Sequence, residues 1–580
     1  MNAFLKYILL FFYLQITSRV VHSVENQFFL KELSEGGFAI RVNQVGYAIN
    51  QPKLIAVVSN TSFSNLKYFI SNNKGEVVEK GQTLESVLWK DANEYVAIVD
   101  VTNINIGGVY TITVDGVKKH FKVVYNPYKK LAEDVFKYYY FNRASTSITE
   151  KYGGKWKRGV GLLDRKVKIH ASAATKKRPE GTIINATKGW FDAGDYNKYI
   201  TNSGISTYTL LSAYENYTNY YNRQKFNIPE SENELPDILD EVKWNLDWML
   251  AMQDPNDGGV YHKLTGLQFS GVIMPNKYTF DRYVVQKSTS AALNFAGVTA
   301  LAARIFSGIG GKQAYAKQLL IASEKAYSWA KKHPKDYFLN PKGVRTGQYE
   351  DSDLKGEFQW AAVELFITTK KETYKKAIKI SEISNKIPWW QDTSALALYS
   401  ILRHQKQLSG FINITEAKKI FLEKANELKD RIEKSPMQIA MNTSDYVWGS
   451  NGVAGNQLMY LMKAYEITKE DSFLKAVFIG VDYLLGRNGV GVSYITGQGE
   501  QSAQNPHHRT SEADNVKEPV PGMVVGGPQP GQQDKCKYIS KMPAKSYSDT
   551  WCSYASNEVT INWNAPMVYV INALQYYQTK

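Results

Sequence analysis

Cysteine is nearly absent from this chain. Cys536 and Cys552 are the only two in 580 residues. Two thiols cannot build a four-cysteine zinc cage. Their separation allows a disulfide closing a modest loop, and two free buried thiols is the alternative that the residues leave open. Long apolar runs are scarce as well. Beyond the N-terminus no span of 18 apolar residues stands out, which argues against a membrane-inserted bundle. A continuous basic stripe is also missing. The formal charge is +15, from 70 Lys and Arg against 55 Asp and Glu. The lysines are scattered in short runs such as Lys176-Lys177-Arg178, with no nucleic-acid motif beside them. That charge reads as solvated surface, so no nucleic-acid partner is expected.

What is present is an ordinary globular balance, 43% hydrophobic and 22% charged, with 39 tyrosines in an aromatic share of 13%. The length suits several domains or one large barrel with an appendage. Residues 1–23, MNAFLKYILLFFYLQITSRVVHS, read as a signal peptide. Lys6 supplies the positive start, Tyr7 to Ile16 the apolar core, and Val21-His22-Ser23 the small-residue exit. The core is too short to span a bilayer, and an uncleaved anchor is the alternative. The mature chain is therefore expected to be secreted, either to the periplasm or outside the cell, and to be a monomer. Five Asn-x-Ser/Thr sequons matter only in a glycosylating pathway.

Residues 37–125 alternate apolar and polar in short runs, among them KLIAVVSN, EYVAIVDV and GVYTITVDG. Turn residues separate them about every ten positions, the pattern of an immunoglobulin-like β-sandwich of about seven strands. Residues 128–580 change period. Apolar residues recur at three- and four-residue steps in about twelve segments, which predicts an all-α domain of paired helices, a toroid of hairpins. One segment, Gly486 to Asn557, is long, proline-punctuated and without helical period. Such a loop in a compact domain points to function.

The stretch GWFDAGDYNKYI, from Gly189 to Ile200, places Asp192 and Asp195 around an Ala-Gly pair. They stand where irregular chain gives way to a helical pattern beginning near Tyr196. A helix N-terminus there would favour carboxylate anions, one of which could accept a proton from water. The bland reading is that one Asp only caps the helix. In NEVTINWNAPMVYV, Glu558 lies on apolar chain entering a last helix near Pro566, with Asn564 as its cap. Apolar surroundings keep a carboxyl protonated, as a general acid requires. Between them, NPHHRTS offers His507, His508 and Arg509 to sugar hydroxyls, and Asp549 stands nine residues before Glu558. Metal binding by the His pair is a rival, weakened because adjacent side chains diverge and no third ligand is evident. An anionic carboxylate and a neutral carboxylic acid are the two halves of glycoside hydrolysis.

These residues resemble the family 9 glycoside hydrolases, specifically the subgroup with an N-terminal immunoglobulin-like domain before an (α/α)6 barrel. IRVNQVGY resembles the start of that domain, GWFDAGDYNKYI the base motif, and DGGVYHKLT and KSTSAAL the inner-helix region. SYITGQGEQSAQNPHHR and YSDTWCSYASNEVTINWNA resemble the two late signatures. The resemblance covers nearly all of the mature chain. It implies that Asp195 is the general base, Asp192 its partner in holding water, Glu558 the general acid and Asp549 a supporting aspartate. It implies that His507 and Arg509 bind sugar, and that hydrolysis inverts the anomeric centre.

The implied substrate is a β-1,4-glucan, cellulose in the main reading. Xyloglucan, mixed-linkage glucan or exo-action is the enzymatic alternative, and a catalytically silent carbohydrate-binding protein the alternative of another class. Trp190, Tyr349, Trp448 and Tyr554 are candidate sugar platforms. No cofactor is required for the chemistry. Gly356-Glu357 replaces the Asp-Glu pair that contributes calcium ligands in many relatives, which puts a structural calcium in doubt. Both cysteines stand far from the position of a zinc site found in some relatives, so zinc is not expected.

Overall fold

The computed structural model describes residues 37–579. The signal reading of residues 1–23 lies outside them. The N-terminal unit is a two-sheet sandwich with nine strands among the described residues: β1 (Phe38–Arg41), β2 (Tyr47–Ala48), β3 (Leu54–Ser59), β4 (Lys67–Asn72), β5 (Val77–Gln82), β6 (Val87–Trp89), β7 (Glu94–Asp100), β8 (Gly108–Val114) and β9 (Val117–Val124). One sheet runs β1-β3-β7-β6 and the other β2-β9-β8-β4-β5. Ile55, Val57, Ile70, Val99, Ile112, Val114, Phe121 and Val123 fill the space between them. The count exceeds the expected seven because β2 and β6 are only two and three residues long and β5 is a largely exposed edge. None of the three projects a regular apolar face.

All six residues of β3 are buried. Its odd-numbered side chains face the sandwich, while Ala56 and Val58 join the core of the helical domain. Two covered faces explain why the run LIAVV, Leu54 to Val58, is uniformly apolar. Polar links cross the same seam. Asn43 donates to Asp482 at 2.7 Å, Gln44 N–H to the Leu485 carbonyl at 2.9 Å, and Lys545 pairs with the buried Glu94 at 2.6 Å.

Eleven helices of ten residues or more follow among the described residues. They are α1 (Lys129–Phe141), α2 (Ile200–Asn216), α3 (Asp237–Ala251), α4 (Thr289–Ser307), α5 (Gln313–Lys332), α6 (Lys355–Thr369), α7 (Ser394–Arg403), α8 (Ile414–Lys434), α9 (Ser450–Thr468), α10 (Asp471–Val481) and α11 (Ile561–Gln578). Helices α2, α4, α6, α7, α9 and α11 touch in succession and close a ring. The others pack outside: α3 on α2, α5 on α4, α8 on α7 and α9, α10 on α9, and α1 on α11. Inner helices are buried almost all round, as their composition requires. Small residues let them approach. A Cβ on Gly297 would meet the Trp360 ring at 3.0 Å, and one on Gly204 would meet Asn294 Oδ1 at 2.4 Å. Outer α8 instead carries a single stripe, Ala417, Phe421, Ala425, Leu428 and Ile432.

Three expectations change. The segment TYKKAIKISEIS forms only a turn at Glu372–Lys375 and another at Ile380–Glu382, so the ring lacks one long outer helix. Helix α4 is long and apolar enough to pass as a membrane span, yet 94% of that window is buried inside the protein. The last helix starts at Ile561, and Pro566 stands inside it. Asn564 does not cap it. Its amide braces three segments, donating to the Val135 and Gly522 carbonyls and accepting from Val524 N–H.

A small sheet completes the domain, with β10 (Val167–Ile169), β11 (Ile183–Ile184), β12 (Lys198–Tyr199), β13 (Lys263–Thr265) and β14 (Tyr283–Val284) in the order β11-β10-β14-β13-β12. Cys536 and Cys552 form a disulfide in the long loop.

Candidate active site

The site lies where chain enters the N-terminal ends of inner helices α2, α6 and α11. Asp192 and Asp195 are not in the first turn of a helix, as the periodicity predicted. They sit in irregular chain, with β12 between them and α2. Hydrogen bonds, not a helix dipole, govern them. Beneath the segment, Trp190 is fully buried and donates Nε1–H to Glu241 at 2.7 Å. Glu241 is paired with buried Arg143 at 3.0 Å. Trp190 is thus an anchor and no sugar platform.

Asp192 is 1% exposed. Its Oδ2 accepts from the Tyr349 hydroxyl and its Oδ1 from Asn202 Nδ2, both at 2.7 Å. Asn202 also donates to Thr560, which leads into α11. The Asp192 carbonyl accepts from Ile561 N–H at 2.9 Å. Asp195 is 5% exposed. Its two oxygens accept from Asn197, Oδ1 from the backbone N–H at 3.1 Å and Oδ2 from the side-chain Nδ2 at 2.6 Å.

Gly194, between the two aspartates, is the crossing point of the site. Its carbonyl accepts from Arg509 N–H at 3.0 Å and from Arg509 Nη1 at 2.9 Å. A Cβ here would lie 2.0 Å from the His507 carbonyl oxygen, a backbone atom that cannot move aside. Only glycine lets the aspartate segment and the histidine segment touch. His507 N–H in turn donates to the Asn557 carbonyl at 2.8 Å, and His507 bridges to Glu558 as a parallel strand pair. The motifs separated by more than 300 positions thus form one continuous backbone contact.

Asp549 secures this arrangement. It accepts from Gln504 N–H, Asn505 N–H and Asn557 Nδ2 at 2.8, 2.9 and 3.0 Å. The His507 ring lies on Trp551, centroids 4.1 Å apart, and its Nδ1 is 2.8 Å from the Trp551 carbonyl. A carbonyl only accepts, so Nδ1 carries the proton, and the neutral ring keeps a bare Nε2 as an acceptor. Burial lowers the His507 pKa and favours that neutral form. His508 is buried and spends its Nδ1 on Ser511, so it holds the loop together. Arg509 gives Nε–H to the Ser270 carbonyl and lies over the exposed Phe269 ring at 5.4 Å.

Burial is the largest influence on Glu558 and pushes its pKa up to about 8, with Asp195 adding to the rise and Arg509 opposing it. Asp192 also rises to about 8, through burial and then Asp195, against the donors Tyr349 and Asn202. Burial raises Asp549 as well. The raised pair, Asp192 and Glu558, can therefore carry protons at neutral pH beside an aspartate held by two N–H donors. That combination serves acid–base chemistry on a bond to a neutral polymer.

Tyr349 is a ligand of Asp192 as well as a ring beside Trp390, 4.9 Å away. Trp448 and Tyr554 pair at 5.4 Å, with Trp448 41% exposed. Sequence reading missed Asn197, Asn202, Thr560 and Trp551. Asn197, Thr560 and Trp551 lay inside quoted motifs, but only the fold shows whom they touch. Asn202 carries no local signal.

At the start of α6, Glu357 is fully buried and its Oε2 has no hydrogen-bond partner, as is true of Asp351 Oδ2. Burial raises both, Glu357 well above the usual range and Asp351 to about 6. Two orphaned carboxylate oxygens in one pocket of chain fit a hard cation. Among the described residues no group of three acidic, His or Cys side chains is placed to hold a metal ion, so hydroxyls and carbonyls would complete any shell here. A Cβ on Gly356 would meet Ser394 Oγ at 2.5 Å, so packing against α7 leaves no room for the missing aspartate.

A ring of paired helices with buried carboxylates at its mouth, behind an immunoglobulin-like sandwich, defines a glycoside hydrolase. The chain matches glycosyl hydrolase family 9 over residues 128–571 and the cellulase N-terminal ig-like domain over residues 35–119, and it belongs to that family. It is a β-1,4-glucanase. It is 42% identical over 561 residues to a xyloglucan-specific endo-β-1,4-glucanase of Bacteroides ovatus, covering 93% of this chain and 95% of that protein. It is 31% identical over 551 residues to endoglucanase D of Acetivibrio thermocellus, covering 93% and 84%. Among solved structures, a Bacteroides ovatus family 9 enzyme superposes with a TM-score of 0.86 at 39% identity, covering 93% of this chain and 99% of that one. A metagenome-derived family 9 endoglucanase superposes with 0.82 at 30% identity, covering 93% and 99%.

The crossing at Gly194 gives a direct test. Gly194→Ala is expected to force the aspartate and histidine segments apart and to lower kcat at least about a hundredfold, the cost of a roughly 1 Å misplacement. Steady-state kinetics with circular dichroism as a folding control measures it, and near-normal kcat would contradict the crossing.

Proposed function

We propose that this chain is an endo-acting, inverting β-1,4-glucanase that prefers xyloglucan, in place of the cellulose preference that the motifs alone favoured. The similarity to a xyloglucan-specific enzyme over nearly the whole chain carries this reading. A local feature agrees with it. Leu267, Phe269, Val272 and Phe280 are all exposed on the loop that Arg509 and Tyr196 pin beside Asp195, through the Ser270 and Ile273 carbonyls. The Phe269 and Phe280 rings there offer flat faces, and Leu267 and Val272 apolar ones, to the pentose branches of a decorated glucan. Unbranched cellulose remains the second reading, favoured by the similarity to endoglucanase D.

In the reaction Asp195 takes a proton from water as that water attacks the anomeric carbon, and Asp192 helps hold the water. Glu558 gives its proton to the departing glycosidic oxygen. Charge spreads over the sugar ring between them. His507 Nε2 accepts from a sugar hydroxyl, Arg509 fixes the loop and tempers Glu558, and Asp549 holds Asn557 and so the acid. The test is proton NMR of early digestion products from a xyloglucan oligosaccharide and from cellohexaose. The expected result is α-anomer first, with kcat/KM for the branched substrate about tenfold higher. The reverse ranking would restore cellulose, and β-anomer first would overturn inversion.

Glu558 also sets a pH limit. A raised carboxyl pKa means the proton is present below about 8 and lost above it. Activity should therefore fall as pH rises through about 8, and Glu558→Gln should abolish turnover of natural glucans while binding persists. An alkaline limb unchanged by substrates with good leaving groups would count against Glu558 as the acid.

Calcium would be held by Glu357 and Asp351 with nearby hydroxyl and carbonyl oxygens, where it would neutralise buried charge. Removing it with a chelator should lower Tm, and added calcium should restore it. No shift in either direction would dispose of the site.

A further inference from the structure

Beyond the three carboxylates, the site contains a hydrogen-bonded chain whose direction can be read residue by residue. Asn197 is 3% exposed, and its side-chain oxygen accepts from Gly266 N–H at 3.2 Å and from Thr265 Oγ1 at 3.0 Å. A backbone N–H can only donate, so the amide orientation is fixed and Nδ2 must face Asp195. At the far end, the Lys263 ammonium, which has no acceptor, donates to Thr346 Oγ1 at 3.0 Å. It also donates to Asn340 Oδ1 at 2.6 Å and to the Gly347 carbonyl at 2.7 Å. Thr346 and Thr265 hydroxyls lie 2.7 Å apart. With Thr346 already accepting from Lys263, its proton is free to go to Thr265, and the Thr265 proton is shared between Asn197 Oδ1 at 3.0 Å and the Gly266 carbonyl at 2.7 Å. Along the branch through Asn197 the donors point one way, from a buried cation to a buried carboxylate.

We propose that Asn197 is the positioning residue of Asp195 and that Lys263 polarises it from behind through Thr346 and Thr265. Aligned donors strengthen one another in a low-dielectric interior. The last of them, Asn197 Nδ2, occupies Asp195 Oδ2 at 2.6 Å and the Asn197 backbone N–H occupies Oδ1. The carboxylate is locked in one rotamer and stabilised as an anion without a direct ion pair that would weaken it as a base. The Asn197 carbonyl also accepts from Asp192 N–H at 3.0 Å, so one residue sets the spacing of both aspartates. Burial brings Lys263 down to about 7, and Asp195 is the charge that opposes the fall. The titratable groups facing Asp195 are Asp192, Glu558, His507, Lys263, Tyr196 and Tyr199. Of these, Lys263 is the cation that reaches it through a line of neutral side chains, which the Tyr199 hydroxyl joins at Thr346 and Asn197.

The inference rests on the reading of Asp195 as the base, so Asp195→Ala is measured beside the other variants. Asn197→Ala and Lys263→Met are each expected to lower kcat, Asn197→Ala by about tenfold to a hundredfold, with KM within about twofold. Each should move the acid limb of the kcat profile to higher pH. The double variant should lose little more than Asn197→Ala alone, because both act on one chain. Lys263→Arg, which keeps the charge and donors, should recover the acid limb. The size-matched Asn197→Asp, with Tm as a control, replaces Asn197→Ala if that variant does not fold, and the same limb shift is expected of it. An unmoved acid limb, additive losses, or a change confined to KM would overturn the proposal. A fully active Asp195→Ala would instead overturn the base assignment on which it rests.

Discussion

Bringing three carboxyl groups together inside protein is the constraint on which the rest of the structure depends. Burial makes Asp192 and Glu558 costly to ionise, and the charge of Asp195 adds to the cost of both. A site in which every carboxyl kept its proton would hold no base. The fold distributes donors unevenly to prevent that. Asp192 receives a phenol and an amide, Asp195 a main-chain and a side-chain N–H, and Glu558 the nearby charge of Arg509. The cations stand back, acting through space or through neutral hydroxyls. Direct salt bridges would have fixed the anions but removed their capacity to move protons.

This distribution is held by chain segments remote in sequence. The aspartate segment is anchored below by the Trp190–Glu241–Arg143 stack and above by contact with His507, and Asp549 ties the histidine segment to Asn557. The small sheet adds a rigid mount, because β12 carries the chain from Asn197 into α2 while the paired β13 carries Lys263 and Thr265. The ring of inner helices fixes where these entries stand relative to one another. Its close contacts at Gly204 and Gly297 leave little freedom for one helix to slide past the next.

Much of this was legible in the residues. The switch from two-residue to three- and four-residue period marked the boundary between sandwich and helices. The paired aspartates, the histidine segment and Glu558 were each visible as motifs, and the structure brings them together. What the sequence hid is tertiary in origin. The helix-dipole account of Asp192 and Asp195 fails because β12 intervenes, and two residues of strand leave no periodic trace. TYKKAIKISEIS has helical spacing, yet Tyr374, Ile380 and Ile383 reach the helical core from two short turns and not from one helix. Pro566 reads as a first-turn residue by propensity, yet α11 starts a turn earlier because Thr560 and Ile561 are held by Asn202 and Asp192. Asn202 itself looks like any helix asparagine until Asp192 is placed beside it.

Strand β3 has a wider meaning for how such enzymes are assembled. Its two faces belong to two different hydrophobic cores, so no plane separates the sandwich from the ring without exposing apolar surface. The N-terminal unit is in that sense an outer wall of the helical domain and not a bead on a string. Exchange of sandwiches between enzymes would have to carry the matching seam residues on the ring. Substitutions in β3 would be felt by two cores at once, which narrows the set of side chains that drift can explore there.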